Sequence, residues 1–202
     1  MRILLPPSAG KTTKESTNHL QLEKLWQAEH LTQTRRQLIS DVQNTALLAD
    51  AAQIFKLGPK NAHEISQNLE IYDAPALAAW QLYDGVLYEA AKFAQIFSSG
   101  APAQGGQRQL EELTLVFSAL FGPVRLTDLI TPHRLSGSVK LPGQGSVASI
   151  WSKPLKELLA QQLSGHVVVD LRSAEYGAMY RPSRGSDCLL LNIGVAKVNP
   201  TT

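Results

Sequence analysis

The stretch His166-Val167-Val168-Val169-Asp170-Leu171 constrains this chain most. Three successive valines are stiff at χ1 and favour extended backbone. An unbroken apolar run, without alternation, is the pattern of a strand buried on both faces. Other strands are expected around it. Arg2–Leu5 reads as a short buried strand stopped by Pro6-Pro7. Leu113–Phe121 is apolar and aromatic, and Gly122-Pro123 should break it. Leu135–Leu141 alternates in part and ends at Pro142-Gly143. Leu189–Leu191 and Ile193–Val195 predict a final strand interrupted by Gly194.

Helical signals lie between these strands. Residues 20–57 carry Leu20, Leu22, Leu25 and Trp26. A second helix, capped by Thr32 or Thr34, would follow with Leu38, Ile39 and Val42. After a break near Asn44 come Leu47, Leu48 and Ile54. Gly58-Pro59 ends the run. Asn61–Leu69 and Val86–Phe97 are further helix candidates, and Ala76–Leu82 fits a strand or a helix. Ser98–Gln107 is low in complexity and reads as an exposed loop. Ser149–Leu163 is the clearest helix, with Pro154 near its start and Gly165 beyond its end. Strands and helices mix without regular alternation, so the fold class is α+β, a mixed sheet with surrounding helices.

Composition excludes several classes. At 202 residues, 44% hydrophobic and net charge +2, disorder is not expected. One cysteine, Cys188, cannot form an intrachain disulfide, and its apolar neighbourhood points to an inert buried thiol. No apolar run approaches the roughly 20 residues that span a bilayer, and the apolar start at Met1–Leu5 is too short for a signal peptide. One domain over 1–202, in the cytoplasm and without a membrane partner, is the expectation. Charge is uneven, however. Residues 125–202 hold nine basic and five acidic side chains, so a cationic face built by the last third is one reading and scattered solvated charges the other.

The motifs are individually modest. Gly10-Lys11-Thr12 follows a strand, but a phosphate-binding P-loop needs glycine at position 5, where Leu5 stands. Ser8, Lys11 and Thr12 can still hold an anion in another geometry. The histidines, His19, His30, His63, His133 and His166, have no metal-ligand spacing, so neither a metal nor a cofactor is expected. Lys56-Leu57-Gly58-Pro59-Lys60-Asn61-Ala62 resembles the hairpin of helix-hairpin-helix DNA-binding modules, with Lys56 in place of the first glycine. There a turn's amides and a helix N-terminus can hold a phosphate oxygen. Arg125, Asp128, His133 and Arg134 gather around Gly122-Pro123, and Ser173, Glu175 and Tyr176 follow the valine strand. Polar residues beyond a buried strand's C-terminal end are frequent site residues.

Taken in order, four blocks resemble the YaaA family of peroxide-stress proteins. They are Ile3–Thr12, Tyr83–Tyr88, Ser118–Asp128 continuing through Pro132-His133-Arg134-Leu135, and Val168–Tyr176. The chain departs from the family pattern at Phe121 and His133, where tyrosine is usual, and at Leu126, where proline is usual. Members also run further, with a basic segment after the last strands, whereas this sequence ends at Thr202. The resemblance implies a cytoplasmic protein that limits damage from unincorporated iron during hydrogen peroxide stress. It implies a YaaA-like α+β fold with a cationic cleft and a helix-hairpin-helix-like element that binds double-stranded or structured DNA.

Two functions follow as expectations. In the first, Lys11, Gly58, Lys60, Asn61, Arg125, Arg134 and Arg172 line a groove and contact nucleic-acid phosphates, with steep salt dependence. In the second, Lys11, Asp128, Ser173, Glu175 and Tyr176 supply a base, a nucleophile and an anion clamp for an unassigned reaction. Direct iron binding is disfavoured, because histidines and carboxylates do not cluster.

Overall fold

A computed structural model describes residues 1–12, 14–97, 105–183 and 185–194. In chain order, β1 (Arg2–Leu5) and β2 (Gly10–Lys11) precede a 3-10 turn at Leu22–Lys24, then α1 (Ala28–Ala46) and α2 (Ala51–Ile54). A 3-10 helix at Pro59–Ile65 leads to α3 (Ser66–Leu69), β3 (Leu77–Ala78), α4 (Ala79–Leu82) and β4 (Tyr83–Asp84). Next come α5 (Val86–Ala90), α6 (Phe93–Phe97) and α7 (Gly105–Leu113), then β5 (Thr114–Ser118), β6 (Gly122–Val124) and β7 (Leu129–Ile130). The chain continues through α8 (Val147–Leu163), β8 (His166–Asp170), α9 (Ala174–Gly177) and β9 (Cys188–Asn192).

The valine strand is β8, and it sits inside a five-stranded sheet of order β6-β5-β1-β8-β9. Parallel ladders join β1 to β5, β1 to β8 and β8 to β9, while β6 returns antiparallel beside β5. The sheet is thus mixed, with helices around it, as an α+β pattern requires. Parallel pairing needs long crossovers, which is why β1, β5 and β8 lie so far apart in sequence.

Burial of β8 differs from the pattern its valines suggest. Val168 is inaccessible, but Val167 on the opposite face is 39% exposed. Leu189 and Leu191 of the edge strand β9 are exposed as well. The valine run reflects pairing on both edges rather than cover on both faces. Cys188 is half-buried, with Sγ 3.4 Å from Ser186 Oγ.

Other elements depart from expectation for identifiable reasons. Gly122-Pro123 does not end the ladder but turns it back as β6. Gly122 has φ +68°, and a Cβ there would meet the Trp151 ring at 2.7 Å. The indole Nε1 donates to Ala119 O at 2.7 Å, so α8 is seated against this hairpin. Residues 20–27 are not α-helical. Leu20, Leu22, Leu25 and Trp26 are buried through a 3-10 turn, and α1 starts at Ala28 and runs through both Thr32 and Thr34. Arg35 of α1 is fully buried, donating to Phe121 O, Trp26 O and Pro123 O at 2.8–3.1 Å.

Leu135–Leu141 is irregular, apart from a bridge between Lys140 and Ser146. The stretch 86–97 is two helices, because Lys92 takes φ +52° between them. Pro154 sits in the interior of α8 rather than near its start. Residues 105–107 begin α7, while 98–104 lie outside the described residues, as does Val195. The turn at Gly58 joins α2 to a 3-10 helix that runs directly into α3, so the second arm of the expected hairpin begins as 3-10 rather than α-helix. The left-handed residue at that turn is Lys56, with φ +57°. It takes a glycine-type conformation at the position where the hairpin pattern has glycine.

Candidate active site

β1, β5 and β8 all end at one side of the sheet, and the chain leaves β1 toward β5 and later returns to its other side as β8. The crevice outside the carboxyl ends of such strands is where open sheets bind ligands. A cavity of about 370 Å³ lies there. Its walls include Pro7, Ser8 and Lys11 after β1, Tyr83 of β4, Ala119 after β5, His133 and Arg134, Glu175 and Tyr176 of α9, and Lys56 at the rim. All four sequence blocks therefore converge on one cavity.

Local structure fixes each wall. Pro6 and Pro7 cannot donate to a ladder, so β1 ends and the chain re-pairs as β2 with β4, Lys11 opposite Tyr83. Thr12 N donates to Leu82 O at 2.9 Å, Tyr88 Oη donates to Pro6 O at 2.8 Å, and Ser8 Oγ donates to Asp84 O. Gly85, with φ +147°, lets Ser8 approach, since a Cβ there would lie 2.7 Å from Ser8 Oγ. Arg134 is held by its backbone. Its N–H donates to Asn68 Oδ1 at 2.7 Å, and its carbonyl accepts from Asn68 Nδ2 at 2.9 Å. Its guanidinium pairs with Glu64 and donates to Ala9 O. Glu175 Oε1 accepts from Ser138 N at 2.9 Å, and Lys56 Nζ donates to Ser138 O and Oγ at 3.0 and 3.1 Å.

Burial keeps His133, Tyr83 and Tyr176 neutral at pH 7 and brings Lys11 close to its titration point there. Lys11 as a residue is partly exposed, but its ammonium is enclosed by the cavity walls. That enclosure, reinforced by the charge of Arg134 and opposed by Glu64, holds its pKa down at about 7. Its Nζ lies 5.9 Å from the centroid of the Tyr83 ring. Burial, with help from the Lys11 charge, pushes His133 down to about 3. Its Nδ1 lies 2.9 Å from Thr131 O and its Nε2 3.4 Å from Ser118 Oγ. In the neutral ring, Nδ1–H donates to the carbonyl and Nε2 accepts from the serine. Burial raises Tyr83 and Tyr176 well above the usual phenol value. Tyr83 Oη sits beside Ser118 without a well-formed hydrogen bond.

The remaining sequence candidates lie elsewhere. Asp128 accepts from Trp26 N at 2.8 Å and Arg125 N at 3.0 Å, and it lines a separate depression with His19 and Lys24. Ser173 is exposed at the start of α9 and does not line the cavity. Arg125 lines a third depression with Arg2, Arg108, Glu111 and Glu112, where β1 begins rather than where it ends. Arg172 is buried, its Nε and Nη2 on the Asp170 carboxylate at 2.9 and 2.7 Å and its guanidinium 4.2 Å above the Phe117 ring. Gly58, Lys60 and Asn61 are exposed on the turn and 3-10 helix beyond Lys56. Sequence reading did not single out Lys56, Glu64 or Asn68 as site residues. The glycine slot taken by Lys56 was the one signal present. Among the described residues no three His, Cys, Asp or Glu converge as a metal site, and no helix is long and apolar enough to cross a membrane.

Comparison with known proteins agrees with the blocks. The profile of the family described as Peroxide stress protein YaaA matches residues 1–196. UPF0246 protein SCO2297 of Streptomyces coelicolor is 33% identical over 184 residues, covering 90% of this chain and 68% of that protein. UPF0246 protein Cgl1995/cg2186 of Corynebacterium glutamicum is 32% identical over 186 residues, covering 90% and 70%. Uncharacterized protein Cj0984 of Campylobacter jejuni is 27% identical over 188 residues, covering 91% and 72%. With the profile spanning nearly the whole chain and its four blocks meeting at one cavity, this protein belongs to the YaaA peroxide stress protein family.

Proposed function

We propose that this protein limits damage from unincorporated iron during peroxide stress in the cytoplasm, and that it does so as an enzyme acting on a small anionic molecule in the cavity. The observation carrying this reading is Lys11, an enclosed amine near neutrality among Tyr83, His133, Glu175 and Tyr176. A titratable group strongly perturbed by burial, inside a concave site, is the usual mark of a functional centre. Lys56 and Arg134 are cations in the cavity lining, Arg134 with Glu64 as its partner, and Glu175 is a carboxylate in the same lining.

A second reading is double-stranded or structured DNA on the rim. It is favoured by the exposed Lys56 at the cavity rim and by the exposed Lys60 and Asn61 on the 3-10 helix that follows it. Lys60→Ala with Asn61→Ala removes the rim contacts, and Lys11→Met removes the amine. Each is returned to a strain lacking the gene and challenged with hydrogen peroxide. The enzyme reading expects loss of protection with Lys11→Met and retention with the rim variant. The reverse pattern, with lost mobility-shift binding by the rim variant, replaces it with the DNA reading.

A further inference from the structure

We infer that Lys11 forms an imine with its ligand, and that the ligand is a small aldehyde or ketone carrying a carboxylate or phosphate. The inference rests on the cavity being a working site and names what it acts on.

The geometry around the amine supports this. Lys11 reaches the cavity from β2, and among the described residues its Nζ has neither a hydrogen bond nor an ion pair. Lys56, by contrast, is tied to Ser138. The carboxylate nearest in role, Glu64, is already engaged by Arg134. Lys11 therefore has positive charge beside it and no dedicated counter-ion. That arrangement favours a free lone pair at neutral pH, in agreement with its lowered pKa.

The cavity also holds groups that move protons. Tyr83 brings a buried hydroxyl with no well-formed partner, and Tyr176 and Glu175 line the same space. In the step, the Nζ lone pair attacks the carbonyl carbon and a C–N bond forms. The C=O π pair moves to oxygen, which takes a proton. The nitrogen gives up its two protons in turn, the hydroxyl takes a second proton and leaves as water, and the nitrogen lone pair closes C=N. Amine plus carbonyl gives imine plus water, with no oxidant or reductant. An acyl donor would instead leave a stable amide on Lys11, which does not turn over. The anionic group follows from Lys56 at the rim, whose ammonium keeps one N–H beyond the two given to Ser138, and from Arg134, whose backbone is fixed by Asn68 while its guanidinium is shared with Glu64 and Ala9 O.

The test treats the purified full chain with glyoxylate, and separately with pyruvate, in the presence of borohydride at neutral pH. Borohydride reduces C=N to a stable amine, and peptide mass mapping locates it. The expected result is one adduct on Lys11, favoured over exposed lysines such as Lys14 and Lys140 by more than about tenfold, as a larger free-amine fraction requires. Lys11→Met removes that adduct, and Tyr83→Phe slows its formation without relocating it. Label spread evenly over surface lysines, or unchanged by Lys11→Met, overturns the inference. Should Lys11→Met fail to fold, the wild-type map and Tyr83→Phe decide alone. Peroxide survival reads the cavity's cellular role separately. Trapping without a survival effect keeps the chemistry and retires that role, and a survival effect without trapping does the opposite.

Discussion

The imidazole of His133 stands edge-on to the Phe121 ring, their centroids 5.2 Å apart and their planes at 88°. These are two of the positions where the family pattern has tyrosine. Both residues are buried, and the contact replaces two hydroxyls with an apolar face and a neutral ring. The departures are thus one packing arrangement rather than two independent losses.

That arrangement sets an acid limit. An unfolded histidine takes up its proton below about pH 6.5, while folded His133 stays neutral down to about pH 3. Across that window the unfolded chain binds more protons, so stability falls as pH drops from 6.5 towards 3. The slope from this one group is at most about 1.4 kcal/mol per pH unit. Urea unfolding of the protein and of His133→Gln at stepped pH checks it. The variant's curve should be flatter, and equal slopes would remove His133 from the account.

Arg172 and Asp170 form a buried pair that braces the end of β8 just before Glu175 and Tyr176. Arg172 Nη2 also donates to Tyr180 O at 3.0 Å. Removing one partner leaves an uncompensated buried charge, so Arg172→Met should cost about 3–5 kcal/mol. Replacing both residues with apolar ones should cost much less. A double-mutant cycle by chemical denaturation measures the coupling. No coupling would mean that solvent reaches Asp170.

The two cases show what sequence could and could not reveal. The valine run, the Pro6-Pro7 stop and the order of blocks located β8, β1 and the cavity walls, because strand propensity and proline act locally. Which charges are free is not local. Arg172 and Arg125 look alike in sequence, yet one is chelated by Asp170 and the other opens at the far end of the sheet. Asn68 and Glu64 matter only through Arg134, 66 residues away for the amide contact. Gly122-Pro123 reads as a breaker, and only the Trp151 ring beside it explains why it instead turns a hairpin.

Gly85→Ala tests whether the first loop is held in place for chemistry. Its φ of +147° and the 2.7 Å approach of Ser8 Oγ leave no room for a methyl group. Ser8 must shift and its bond to Asp84 O is lost. The cost should be about 1–3 kcal/mol from backbone strain, together with slower borohydride trapping at Lys11. Unchanged trapping with the stability loss present would make the contact purely structural.

Lys11 gives the complementary pH signature at the alkaline side. Its folded pKa is about 7, whereas an unfolded lysine holds its proton to about pH 10.4. Between those values the unfolded chain binds more protons, so folding stability gains from Lys11 as pH rises through this window. Below pH 7 both states are protonated, and the enclosed ammonium is a standing cost of the fold. Arg134, His133, Tyr83, Tyr176 and Glu175 line the same cavity, with Glu64 paired to Arg134; burial moves His133 below this window and the two tyrosines above it. Lys11→Met should therefore be more stable than the parent below pH 7, with the difference shrinking towards pH 10. Thermal or urea unfolding of both proteins at pH 6, 8 and 10 reads this directly. A constant difference at all three values would mean that Lys11 stays charged in the cavity, and the amine would then serve as an anion anchor rather than a nucleophile.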